Sequence, residues 1–97
     1  MIEQRKSKRF ELKLPLEITR AGVLPVSSPG ETRNLSSSGV LFNVESPVPI
    51  GESIEYVITL PVRRDGEEPV RLRCVGKVVR LETAAAAATL ERYEFIR

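Results

Sequence analysis

Every second residue from Phe10 to Ile18 is apolar: Phe10, Leu12, Leu14, Leu16 and Ile18 alternate with Glu11, Lys13, Pro15, Glu17 and Thr19. A period of two predicts a long strand with one face buried and the other in water. Pro15 sits on the polar phase; having no N–H for a ladder, it marks an edge or a bulge. Residues 21–31, AGVLPVSSPGE, break the alternation with two prolines, two glycines and a serine pair, and read as a surface loop. A short strand near Thr32–Leu35 then meets the turn-rich Ser36–Gly39. Val40–Val44 is apolar and β-branched enough for the strand that follows.

After a connection over 46–52, Ile54, Tyr56, Ile58 and Leu60 alternate in another strand that ends at Pro61. Asp65-Gly66, within the charged stretch 63–69, is a strong hairpin signal. Val70, Leu72, Cys74, Gly76 and Val78 form the inward phase of the next strand, with Arg71, Arg73 and Lys77 opposite. Val75 and Val79 share that opposite phase and predict burial on parts of both faces. The alanine run 84–88 admits two readings. Alanine is the best helix former and Thr83 supplies an N-cap, but a helix of about a dozen residues is marginal without a packed face. The preferred reading is a final strand from about Ala86 to Tyr93, with small residues where sheets approach closely. Long strands separated by turns make the chain all-β, a sandwich or a small barrel.

At 97 residues the chain is the size of one domain. It has no His and one Cys, which excludes His-based triads, Cys/His zinc sites and disulfide frameworks. No apolar stretch approaches the ~20 residues of a membrane span, and MIEQRKSKRFELK lacks the apolar core of a signal peptide. A cytoplasmic location with Cys74 reduced is expected. No nucleophile has a recognisable base, and Asp65, Glu67 and Glu68 share one turn instead of converging across a cleft. A binding protein is expected, not an enzyme, and no cofactor.

Charge adds a detail that the total hides. Residues 1–13 carry five basic side chains against two acidic, a net +3, whereas the other 84 carry ten against eleven, a net −1. Positive charge confined to an arm points to a small anionic ligand met by that arm, not to a polymer laid along a basic face. With five aromatic residues and no aromatic stripe, single-strand nucleic-acid binding is also poorly supported. Residues 1–9 hold only Met1 and Ile2 as apolar side chains, too little to offset about 1–2 kcal/mol per residue of ordering entropy, so the arm is predicted to be flexible.

Two motifs carry candidate chemistry. Arg5 and Arg9 form an R-x-x-x-R on the arm, two guanidinium forks able to pinch a phosphate or read guanine O6 and N7. Asn34-Leu35-Ser36-Ser37-Ser38-Gly39 is an N-x-S-x-x-G. Its Asn amide suits a base edge, its hydroxyl and turn amides suit phosphate oxygens, and Gly39 permits a positive φ or close approach of a ligand.

An R-x-x-x-R arm, an alternating strand, and an N-x-S-x-x-G turn leading into another strand together resemble the PilZ domain. The run V-G-K-V-V-R (Val75–Arg80) is similar to the G-x-V-x-R stretch of that family. The resemblance covers essentially the whole chain and implies a six-stranded antiparallel β-barrel, with residues 1–9 as arm and 10–96 as barrel, that binds cyclic di-GMP and relays it to an output protein. By resemblance, Arg5 and Arg9 hold guanine edges and phosphates, Asn34 pairs with guanine, Ser36 contacts phosphate and Gly39 shapes the turn. The rival within the same fold is an interaction adaptor that binds no nucleotide; retention of all five residues argues against it.

Overall fold

The computed structural model describes residues 11–45, 48–61 and 66–96. They form seven strands: β1 (Pro15–Ala21), β2 (Leu24–Leu35), β3 (Gly39–Val44), β4 (Ser53–Thr59), β5 (Arg71–Glu82), β6 (Ala85–Thr89) and β7 (Arg92–Ile96). All pairings are antiparallel. Hydrogen bonding runs in the order β4-β1-β2-β3-β6-β5, and the β4–β5 ladder closes these six into a barrel. The seventh strand, β7, adds to the N-terminal half of β5. The expected six-stranded barrel is present.

Its core follows the alternation. Leu16 and Ile18 of β1, Val40 and Phe42 of β3, Ile54, Tyr56 and Ile58 of β4, and Leu72, Cys74 and Val78 of β5 all point inward and are buried. Each large apolar side chain so placed contributes about 1.5–3 kcal/mol. Phe42 and Tyr56 stack at the centre, their ring centroids 6.2 Å apart. Cys74 is a small core residue whose thiol burial pushes up to about 11, so it stays protonated near neutrality.

Four expectations change. The stretch 21–31 is not a loop: Gly22, in the left-handed region at φ +62, turns the chain with Val23, and β2 begins at Leu24. Its prolines are tolerated because β3 pairs with β2 only from Gly30 onward, leaving Pro25 and Pro29 in a half that pairs with β1 alone. That half is largely exposed on both faces, so no period of two marks it. The final strand is two strands, and the helix reading is excluded: Ala84, at φ +58, makes a tight turn with Thr83 that sends β6 back along β5. Val79 is exposed because the β5–β6 register shifts at that residue, so β5 is not buried there on a second face. The first strand starts at Pro15, not Phe10; Pro15 takes the opening position, where its missing N–H is harmless. Phe10, Asp65 and the whole predicted arm lie outside the described residues.

Candidate functional site

Strict alternation would put Thr32 and Asn34 on the same face of β2. A register shift between them, at Arg33, prevents this. Thr32 lies opposite the buried Phe42, Asn34 opposite the half-buried Leu41, and Leu35 opposite the buried Val40. The extra residue of a bulge therefore turns Asn34 to the outer wall while Leu35 packs on the core. The Asn34 carboxamide is half-buried and has no hydrogen-bond partner among the described residues. A polar amide in that state keeps two donors and an acceptor available to a ligand.

The turn beyond it is held by its own serine. Ser36 N–H donates to the Gly39 carbonyl at 2.9 Å, closing the turn. The Ser36 hydroxyl accepts from the amides of Ser38 and Gly39 at 3.3 and 3.2 Å and lies 3.3 Å from both the Gly39 carbonyl and the Ser38 hydroxyl. Ser36 thus organises the turn from within, and two of the turn amides expected for phosphate are engaged by it. Gly39 does not have a positive φ. It is required for another reason: a Cβ there would meet the Ala88 carbonyl oxygen of β6 at 2.9 Å. Glycine here serves close approach of a neighbouring strand, not a left-handed turn conformation.

The turn is also bolted to the joint between β6 and β7. Leu90 N–H donates to Ser38 O at 2.9 Å, and Glu91 N–H to Val75 O at 2.9 Å. Thr89 ties the joint to the core: its carbonyl accepts the Tyr56 phenol at 3.0 Å, and its hydroxyl accepts Lys77 N–H at 2.9 Å and donates to Glu91 at 3.0 Å. Gly76 makes room, since a Cβ there would lie 1.7 Å from the Thr89 carbonyl oxygen. Burial drives the Tyr56 pKa well above its ordinary value, with Cys74 and Glu91 nearby adding to the effect, so the phenol remains a donor. Sequence reasoning missed this joint; the isolated glycine inside the strand pattern of β5 was its visible signal.

Outside the barrel, Asn34 begins a cross-strand row that passes Leu41 and Ala87 and ends on Arg80. Arg80 is exposed and pairs with Glu82 at 3.0 Å. Two hollows elsewhere on the wall carry none of the candidate residues: one lies between Glu31, Asn43 and Glu45, the other between Arg20, Glu55, Arg73 and Arg92. In the second, Glu55 binds Arg20 at 2.6 Å and Glu94 binds Arg73, so much of its positive charge is matched. The structure brings Asn34, Ser36 and Gly39 together on one hairpin. Arg5 and Arg9 lie outside the described residues.

No helix among the described residues is long and apolar enough to cross a membrane, and no cluster of potential metal ligands occurs among them. Compared with known proteins, residues 3–95 match the family model of the PilZ domain. No curated protein matches the chain.

Proposed function

The chain belongs to the PilZ domain family, a family of cyclic di-GMP receptors and adaptors, and from that premise we propose that it is itself a cytoplasmic receptor for cyclic di-GMP that signals to an output protein. The observation that carries this reading is the Asn34 carboxamide: turned to the outer wall by a bulge, half-buried, and without a partner among the described residues. Such an amide is open to water and free to exchange it for a guanine edge, with which its donor and acceptor can pair. Arg5 and Arg9, four apart on the segment before the barrel, supply planar guanidinium forks to guanine and phosphate. Ser36 and Gly39 keep the hairpin rigid under the ligand. With both ends engaged, the dianion cross-links arm 1–9 to barrel 10–96, and the surface so formed is what the output protein reads.

Titration calorimetry with cyclic di-GMP, against GTP and a single-stranded oligonucleotide as controls, tests the reading. Saturable binding of cyclic di-GMP alone is expected, with Asn34→Ala, Arg5→Ala and Arg9→Ala each costing about 1.5–3 kcal/mol of affinity. Arg→Lys at 5 or 9 restores little, because a point charge cannot form the fork. Normal binding by the lysine variants would reduce the arm to diffuse charge. An absence of heat with cyclic di-GMP would leave a nucleotide-free adaptor.

A further inference from the structure

The backbone of β7 has an open edge. Just beyond the two ends of the unbroken β4–β5 ladder, Leu60 N–H donates to Val70 O at 2.9 Å and Val78 N–H to Glu52 O at 3.0 Å. The even-numbered residues of β5 therefore use their backbone groups on β4. Successive residues of an antiparallel strand send their N–H and C=O to opposite edges, so Arg71, Arg73 and Val75 send theirs toward β7, where Val75 O accepts Glu91 N–H. Glu94 lies opposite Arg73 and Ile96 opposite Arg71, so these two turn to β5. Tyr93 and Phe95 turn their N–H and C=O the other way, to an edge on which no strand pairs among the described residues. Neither Lys nor Pro, common guards of an exposed edge, occurs from Arg92 to Ile96.

The two faces beside that edge differ. Tyr93 and Phe95 lie opposite Cys74 and Leu72 and extend the inward face of β5 past the barrel, where both rings are mostly exposed. On the other face Glu94 binds Arg73, while Arg92 is exposed and has no partner among the described residues. This pattern is complementary to itself. When two copies of β7 run antiparallel about a two-fold axis at Tyr93, Arg92 of each lies opposite Glu94 of the other. Tyr93 then meets Tyr93 and exchanges both backbone hydrogen bonds with it, and the Phe95 rings come within diagonal reach. A slip of two residues sets Glu94 against Glu94 or Arg92 against Arg92, and a slip of one sets the aromatic face against the charged one. We propose that β7 is the edge through which a second copy of this chain docks, making one sheet of β5–β7–β7–β5 across a two-fold dimer. One five-residue strand buries little area, so the association is weak, with a dissociation constant on the order of 0.1–1 mM. It needs no nucleotide.

The test is sedimentation equilibrium of the full chain over a concentration series. The wild type is expected to rise from the mass of one chain toward that of two as the concentration reaches about 2 mM. A mass that stays at one chain overturns the proposal and leaves the edge to a strand of another protein. Arg92→Glu sets like charges opposite each other twice, as does Glu94→Arg, and each alone is expected to weaken association about tenfold or more. Mixed in equal amounts, the two variants regain opposite charges at both positions, and the mixture should associate within about threefold of the wild type. Single variants that dimerise normally, or a mixture that stays monomeric, overturn the pairing. The wild type also gives a check that needs no variant to fold. The Glu94 amide, bonded to β5, should exchange at the same rate at every protein concentration, whereas the outward Tyr93 amide should slow as concentration rises. A Tyr93 rate independent of concentration overturns the edge-to-edge dimer, even where the mass doubles.

Discussion

The strands β6 and β7 follow one another along the same edge of β5, yet their composition is opposite. β6 is AAAAT, with Ala85, Ala86 and Ala88 buried; β7 is RYEFI, with Tyr93 60% and Phe95 63% exposed. Hydrophobicity does not account for this, since the larger apolar side chains are the ones left outside. Neighbours do. β6 is enclosed between β3 and β5, where Ala86 lies opposite Phe42 and Ala88 opposite Val40 and Val78, so small side chains there complement larger neighbours. β7 has β5 on one edge and no strand on the other among the described residues, and its aromatics meet each other edge-to-face at 6.0 Å. Between the two halves stands the Thr89–Glu91 joint, which carries the Ser36–Gly39 turn.

If the joint is what separates a closed half from an open one, the largest effect belongs to Gly76→Ala. The added methyl collides with a backbone carbonyl that cannot retreat without releasing the Tyr56 phenol. A loss of about 3 kcal/mol or more is expected, read as a fall of more than ~12 °C in Tm for a domain of this size. A small change in melting would show that the joint is soft.

Gly39→Ala comes next. Its methyl meets the Ala88 carbonyl at 2.9 Å, a contact that a small strand shift relieves, and about 1–2 kcal/mol is expected from chemical denaturation. Cyclic di-GMP affinity should fall with it, because the hairpin that carries Asn34 moves away from β6. Tyr56→Phe keeps the ring stack on Phe42 and removes one hydrogen bond to the joint, for about 1 kcal/mol. An unchanged stability there would mean that the Thr89 carbonyl finds water instead.

Phe95→Ala, in the open half, is expected to change stability by no more than about 0.5 kcal/mol, measured by urea unfolding. Its side chain is mostly exposed and its ring meets that of Tyr93 edge-to-face. A loss as large as that at Gly39 would mean that β7 is covered and belongs to the closed half after all.

How much of this was legible beforehand depends on the range of the forces involved. The alternation in 12–18, 54–60 and 70–78 is local, because each residue's face follows from its neighbour's, and it identified β1, β4 and the lower part of β5 along with most of the core. The spacing of Asn34, Ser36 and Gly39 likewise marks the hairpin in the sequence itself. Tertiary structure decided the rest. Pro25 and Pro29 belong to a strand only because β3 leaves that half of β2 unpaired. Asn34 faces outward only because Arg33 is an extra residue against β3, and one residue of register exchanges the faces of a strand. Gly39 and Gly76 are glycines for carbonyls that arrive from β6 and the joint after it, and Thr32 is a threonine for a segment 18 residues upstream. Periodicity reports the exposure of a residue relative to its chain neighbours. It carries no information about which distant backbone group will need the space or the hydrogen bond, and in this protein those distant groups shape the candidate site.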